Sequence, residues 1–131
     1  MTNIEFMNYW LESSDEDYDA MKVLYSNRKY SWSLFVGHLV IEKLLKALYA
    51  KKNIENFIAP KIHNLVLLAK KCDLVFPDEL KEKIGTINTF NIGARYDDYK
   101  REFQSKCTEE YTTTQINAIE EVREWLKKKL V

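Results

Sequence analysis

Three polar side chains that could do chemistry, His38, Glu42 and Lys46, recur at every fourth residue of an otherwise apolar segment. Residues four apart lie on the same face of an α-helix, so the three form one polar stripe. Two of them could ligate a metal, but two ligands do not make a metal site, and no zinc-type spacing accompanies them. Two interpretations stay open: a satisfied stripe with a Glu42–Lys46 ion pair, or a functional polar face in a pocket or at a subunit interface.

A second candidate site is the charged, aromatic segment from residue 93 to residue 101, which contains Arg95, Tyr96, Tyr99 and Lys100. Arginine together with aromatic rings suits phosphate pairing and base stacking. The two aspartates between the tyrosines would repel phosphate, unless they hold the arginine in place or carry Mg²⁺. The alternative interpretation is a solvated loop with internal ion pairs.

Other catalytic signatures are missing from the sequence. His63 and Asn64 stand where a helix begins, so either could cap the helix, and a structural role is the favoured interpretation of His63. The order of a serine protease triad, the glycine-rich phosphate loops and the zinc spacings do not occur. We therefore expect no metal and no cofactor.

Composition indicates an intracellular helical protein of one domain, residues 1–131. Apolar residues make up 46% of the chain, and it has three glycines and two prolines, too few for the many turns of an all-β protein. The two cysteines form no motif, and neither a secretion signal nor a membrane-spanning stretch is visible, so we expect a cytoplasmic protein without membrane contact.

Charge is unevenly distributed although the net charge is zero. The first 20 residues hold six acids and no base, whereas residues 21–71 hold ten bases and two acids. A constitutive nucleic-acid binder usually has an overall excess of bases, which this chain lacks. A local basic face remains possible, and the simpler interpretation places the acidic first helix beside the basic second one.

The hydrophobic period predicts an all-α bundle of about five helices. They cover residues 3–27, 31–52, 62–72, 77–91 and a last stretch from 112–114 to the end, while residues 92–110 are expected to be irregular. Ser31 is the predicted cap of the second helix. That helix is apolar nearly all round, so it lies at the centre of the bundle or meets a partner subunit. Seven residues form the inner face of the first helix: Ile4, Met7, Leu11, Ser14, Tyr18, Met21 and Tyr25.

Three segments in register resemble the HEPN domain family over roughly residues 5–128. The second helix carries a Glu-Lys-x-x-Lys-Ala-Leu signature, and the later segments resemble the family's His-Asp/Asn-Leu and Ala-Arg-Tyr-Pro-Asp motifs. The matching residues are Glu42, Lys43, Lys46, Ala47 and Leu48, then His63, Asn64 and Leu65, then Ala94, Arg95 and Tyr96 with the two aspartates that follow.

The resemblance implies an up-and-down helical bundle, usually a homodimer, often paired with a small nucleotidyltransferase-like protein in a toxin–antitoxin-like system. Many members are metal-independent ribonucleases with an arginine followed four to six residues later by histidine. Arg95 is present here, but Lys100 and Arg101 occupy the histidine positions.

The resemblance therefore predicts a non-catalytic module that binds a nucleotide or RNA. In this hypothesis Arg95 pairs with phosphate, Tyr96 or Tyr99 stacks on a base, and the stripe of His38, Glu42 and Lys46 lines a cleft near the dimer axis. Two alternatives stay open. The first is a ribonuclease toxin in which Lys100, Arg101, His38 or His63 replaces the usual histidine, and the second is a purely structural dimer.

Overall fold

The part of the chain that a computed structural model describes contains seven α-helices. The structure describes residues 1–131 except the side chain of Ala94. This side chain of the Ala-Arg-Tyr motif therefore lies outside the described residues. The bounds of the helices are α1 Asn3–Ser26, α2 Tyr30–Lys52, α3 Leu65–Lys71, α4 Asp78–Asn88, α5 Phe90–Arg95, α6 Asp97–Lys106 and α7 Glu109–Leu130. No strand occurs in the part of the chain that the structure describes, which confirms the all-α helical bundle. No described helix is long and apolar enough to cross a membrane.

The predicted irregular stretch is the main error of the sequence interpretation. Residues 97–106 form α6, and α7 begins at Glu109 rather than near residue 112. Thr108 caps α7, because its hydroxyl oxygen accepts a hydrogen bond of 3.1 Å from the amide of Tyr111. Phe103 is the one residue of α6 that is buried, so this helix leaves no apolar period in the sequence by which it could be recognised.

The helix starts also differ in detail from the prediction. Ser31 lies inside α2, whose N-cap is Lys29, and that cap makes no side-chain hydrogen bond. At α3 one of the two predicted caps is correct: the side chain of Asn64 accepts a hydrogen bond of 3.0 Å from the amide of Leu67. This cap fixes where the loop after α2 ends and α3 begins.

The second helix, α2, is the centre of the bundle. Twelve of its residues are buried, and Leu44 and Leu45 are fully enclosed within the single chain. α1 packs along one side of α2, α7 along another, and α3 to α6 contact it elsewhere. Most apolar residues of α2 are therefore covered by helices of its own chain, whereas Trp32 remains exposed.

α1 lies against α2 through both apolar and polar contacts. Ser14 and Met21 are buried in the seam, and the hydroxyl of Ser14 donates a 2.9 Å hydrogen bond to the carbonyl oxygen of Val40. Asp17 pairs with Lys43 at 2.6 Å, so the acidic helix lies beside the basic one as the charge pattern indicates. Ile4, predicted on the inner face, is exposed, whereas Met7, Leu11, Tyr18 and Tyr25 pack against the core as predicted.

Gly37 marks the closest approach of α2 to its neighbours. A Cβ atom at this position would collide with the side chain of Ile119 on α7 and lie 3.1 Å from the sulfur of Met21 on α1. Both neighbours are fully buried, so neither can move aside without disturbing the core. The absence of a side chain at Gly37 is what allows three long helices to meet here.

We predict that Gly37→Ala destabilises the fold by about 1–2 kcal/mol, because overpacking outweighs the gain in helix propensity. Gly85→Ala is the matched control: it also lies inside a helix, but a Cβ there would have no atom within 4 Å. That substitution should stabilise by about 0.5–1 kcal/mol. Urea unfolding of both variants measures the difference, and a Gly37→Ala protein as stable as wild type would contradict the close approach.

Candidate functional site

A buried carboxylate, that of Glu42, organises the polar stripe of α2. Its side chain is only 5% exposed, yet both oxygens have partners. Lys46 donates to Oε2 at 3.1 Å, and Nδ1 of His63 donates to Oε1 at 2.9 Å. A buried charge is tolerated when it is paired and hydrogen-bonded in this way. Glu42 thus ties the loop before α3 to the central helix.

His38 lies one turn before Glu42 and is fully buried. Its Nε2 donates a 3.0 Å hydrogen bond to the carbonyl oxygen of His63, while Nδ1 lies 3.8 Å from Oε1 of Glu42 and has no hydrogen-bond partner among the described residues. Burial lowers the pKa of His38 to about 4, although the charge of Glu42 acts in the opposite direction. His38 is therefore neutral at pH 7 and serves as a donor that holds the backbone of His63.

An aromatic–cation layer, which we define as Trp32, Phe35, Arg95 and Lys100, covers the first turns of α2. The guanidinium carbon of Arg95 lies 5.3 Å from the ring centre of Phe35, and Nζ of Lys100 lies 5.4 Å from the ring of Trp32. The two rings contact each other edge to face, with 6.2 Å between their centres. Cations at such distances are attracted to the ring faces, so both charges are held at defined positions.

The short helices α5 and α6 hold the cations of this layer. Gly93 lets α5 approach α6 closely, because a Cβ there would lie 2.8 Å from Cβ of Phe103. Arg95 is steadied within α5, where its Nε donates to the side-chain oxygen of Asn91. Asp97 and Asp98 occupy the first turn of α6, where carboxylates complement the helix dipole. Stabilisation of the start of α6 therefore explains why two acidic residues follow Arg95 so closely.

The two candidate sites of the sequence meet along one face of α2, because the cations of the 93–101 segment contact Phe35 and Trp32 there. Trp32, Phe35, His38, Glu42 and Lys46 follow one another at intervals of three or four residues, which is the spacing of a single helix face. Phe35 and Glu42 are seven residues apart, a rise of about 10 Å. The charge of Arg95 is among the causes that lower the pKa of His38, so Arg95 lies within electrostatic range of this buried ring.

The predicted site residues differ in how far they reach the surface. His38 and Glu42 are buried, and the ammonium of Lys46 lies largely covered, 5.2 Å from the ring of Trp10. Arg95, Tyr96 and Tyr99 are exposed, and Lys100 is half-buried. A ligand can contact the exposed residues directly. It can be affected by the buried His38 and Glu42 only through the residues that these two contact.

The sequence analysis did not identify Trp32 and Phe35 as residues of the site. It also did not predict the contact of His63 with Glu42. The two aromatic residues could have been found, because they extend the helical spacing of the polar stripe towards the start of α2. His63 could not, because its contact with Glu42 joins residues that are 21 positions apart. That contact depends on the path of the loop between α2 and α3.

Two clefts adjoin the aromatic–cation layer: one of about 270 Å³ beside Tyr99 and a very small one between Trp32 and Lys100. Within the described part of the chain, no three His, Cys, Asp or Glu side chains come together as a metal site requires. A separate cleft of about 470 Å³ lies between α4 and α7. It is lined in part by Glu79, Glu82 and Glu121, so its charge is unfavourable for phosphate.

Comparison with known proteins shows the family of the chain. The model of the HEPN domain matches residues 7–130. Among solved structures, TT1696 from Thermus thermophilus aligns with a TM-score of 0.79 and 19% identity over 95% of this chain and 98% of that one. ST0689, an archaeal HEPN homologue, aligns with a TM-score of 0.74 and 20% identity over the same shares. At these identities the two structures show a common fold. A comparison with curated protein sequences finds no match.

The buried His38 predicts a pH dependence of stability. The pKa of His38 is about 4 in the folded chain and 6.5 in its ordinary state, so between these values the unfolded chain binds a proton that the folded chain does not. Stability should therefore fall as the pH drops from 6.5 to 4, by about 3 kcal/mol from this group.

The matched variant is His38→Gln, because glutamine can donate to the same carbonyl oxygen but does not titrate. Urea unfolding of both proteins between pH 7 and pH 4 isolates the contribution of His38, since the other titrating groups are common to both. If the stability of the two proteins changed with pH in parallel, His38 would not have the lowered pKa in the folded chain.

Proposed function

The chain belongs to the HEPN family, and from this membership we propose that it is a non-catalytic module that binds a nucleotide or single-stranded RNA in the cytoplasm. The observation that carries the proposal is the aromatic–cation layer. Arg95 and Lys100 are held at fixed positions over aromatic rings and reach the surface. Stacked cations beside exposed rings suit the phosphates and bases of an unpaired strand.

Arg95 is the central contact of the proposed surface. Its Nε is occupied by Asn91, and its guanidinium lies over Phe35, so the side chain is ordered before a ligand arrives. An ordered guanidinium loses little conformational freedom on pairing with phosphate, and its remaining donors suit two phosphate oxygens. Tyr96 and Tyr99 are exposed on either side of the start of α6, where bases of the bound strand would stack on them.

The proposal is of binding rather than catalysis because of the residues at positions 100 and 101. Lys100 and Arg101 stand where, by the resemblance, the ribonucleases of this family have histidine. A charged ammonium has three donors and no acceptor, so it can pair with phosphate but cannot take up a proton.

Two partners complete the proposal. We expect a homodimer and an association with a nucleotidyltransferase-like protein, as in a toxin–antitoxin-like system. Exposed apolar side chains that could take part in such contacts lie beside the site, namely Ile92, Tyr96 and Tyr99. A partner that covers them would also control access to Arg95.

We predict that Arg95→Ala weakens binding of single-stranded RNA about tenfold and lowers the slope of log K against log salt by about 0.7, the contribution of one phosphate contact. Lys128→Ala is the charge-matched control, because Lys128 is exposed on α7 and lies outside the aromatic–cation layer. Fluorescence anisotropy with a labelled oligonucleotide in EDTA measures both effects. Equal losses for the two variants would show nonspecific charge attraction instead.

The RNA recovered from the same EDTA samples tests the absence of catalysis. We expect oligonucleotides of unchanged length on a denaturing gel. RNA that is shortened by the wild-type protein but left intact by Arg95→Ala would identify a ribonuclease that works without the usual histidine.

Trp32 provides a separate test of base stacking. Trp32→Leu should weaken RNA binding by about 1–3 kcal/mol if a base stacks on the exposed indole, whereas Trp32→Phe should retain most of the affinity because it keeps an aromatic face. The same anisotropy titration measures both variants. A Trp32→Phe protein as weak as Trp32→Leu would rule out stacking at this position.

A further inference from the structure

A groove between α3 and α4 shares no residue with the aromatic–cation layer or with the polar stripe of α2. Its volume is about 410 Å³, within the range of about 300–1,000 Å³ that is typical of ligand pockets. Six of its eight lining residues are apolar and come from both helices and from the segment that joins them, namely Val66, Ala69, Leu74, Val75, Phe76 and Ile84. We call this feature the α3–α4 groove.

The α3–α4 groove has a buried floor and exposed edges. Ala69, Phe76 and Ile84 are buried members of the hydrophobic core and form the floor. At the edges, Val75 is 82% exposed and Val66 is 37% exposed. A single exposed valine is common on protein surfaces, but these two valines extend an apolar surface that continues into the core. Contiguous apolar surface of this kind marks a contact site for another molecule.

The charged residues of the groove have one sign. Among the described residues that line it, two are charged, and both are lysines. Lys70 lies on α3 and Lys81 on α4, so each helix places a cation beside the apolar floor. Lys81 also lies 3.7 Å from Asp78, but this pair is exposed and contributes little. The groove therefore combines apolar contacts with positive charge on both sides, which complements an apolar surface flanked by negative charge.

The length of the groove suits a short helix. α4 has 11 residues and spans about 16 Å, whereas apolar residues at positions i, i+4 and i+7 of a helix span about 10 Å. An amphipathic helix can therefore place two or three apolar side chains in the groove, as in other helix-in-groove complexes. Acidic residues on either side of its apolar stripe would then lie against Lys70 and Lys81.

We propose that the α3–α4 groove docks an amphipathic helix of a partner protein, and that Asp or Glu residues flank the apolar stripe of that helix. The acidic helix of this chain, α1, is not available to fill the groove of a second copy. Its apolar residues, among them Leu11 and Met21, pack into the core of their own chain. The inference does not depend on the proposed function, since it requires no nucleic acid.

The experiment selects peptides of about 16 residues, or about four helical turns, from a random phage-displayed library. The full chain is immobilised at physiological salt. The wild-type protein should enrich sequences with apolar residues at i, i+4 and i+7 that are flanked by Asp or Glu. The double variant Lys70→Glu with Lys81→Glu should enrich sequences flanked by Lys or Arg, because its groove attracts the opposite charge. No enrichment by wild type, or the same sequences from both proteins, would overturn the proposal.

Fluorescence anisotropy with one labelled acidic peptide from the wild-type selection measures the role of each lysine. Lys70→Glu and Lys81→Glu should each weaken binding about fivefold, the effect of losing one exposed ion pair. Lys71→Glu is the matched control, because Lys71 is exposed on α3 but does not line the groove. It should change the affinity by less than about twofold, since salt screens charges that make no contact. Equal losses for the three variants would indicate nonspecific charge attraction and would contradict docking in the groove.

Val75→Asp tests the apolar contact and identifies the occupant. Because Val75 is largely exposed, the variant should fold with an unchanged thermal midpoint, yet it should bind the acidic peptide at least about tenfold more weakly. Unchanged affinity would place the peptide outside the groove. Size-exclusion chromatography of wild type and variant provides the second measurement. A wild-type protein that is larger than Val75→Asp would show that a second copy of this chain occupies the groove, and the proposal of a different partner would be wrong.

Discussion

The pairing of the Glu42 carboxylate inside an apolar helix is the constraint on which the rest of this site depends. A carboxylate in that position must find donors, and the structure supplies Lys46 from the same helix and His63 from the following loop. His38 adds a third contact by holding the backbone of His63. The loop between α2 and α3 is thereby attached to the centre of the bundle at a point where a polar group reaches the surface.

The aromatic–cation layer depends on the same helix in a different way. Trp32 and Phe35 lie on the face of α2 that continues to Glu42, and they receive cations that α5 and α6 bring across. Gly93 makes this possible, because its missing side chain lets Phe103 pack against α5. Burial of Phe103 and Phe90, whose ring centres are 5.8 Å apart, anchors the two short helices with few apolar residues.

The polar and apolar parts of the molecule are therefore arranged around α2 with a clear division. Its fully buried leucines belong to the hydrophobic core, and Gly37 lies against Met21 of α1 and Ile119 of α7. Its stripe from Trp32 to Lys46 carries the aromatic and polar groups of the candidate site. The core-facing residues and the stripe lie on different faces of one rigid helix. Packing of the core therefore holds the surface side chains of the stripe in fixed positions.

The sequence by itself determined the long helices, since α1, α2 and α7 each bury a periodic apolar face, and it placed His38, Glu42 and Lys46 on one stripe because that relation is local to a helix. The family could also be recognised, because its motifs are short segments in order. α6 was missed because Phe103 alone anchors it. Only the tertiary structure decided that His63 joins Glu42 and that Arg95 lies over Phe35. Those contacts join residues far apart in the chain, and helix packing, not local spacing, brings them together.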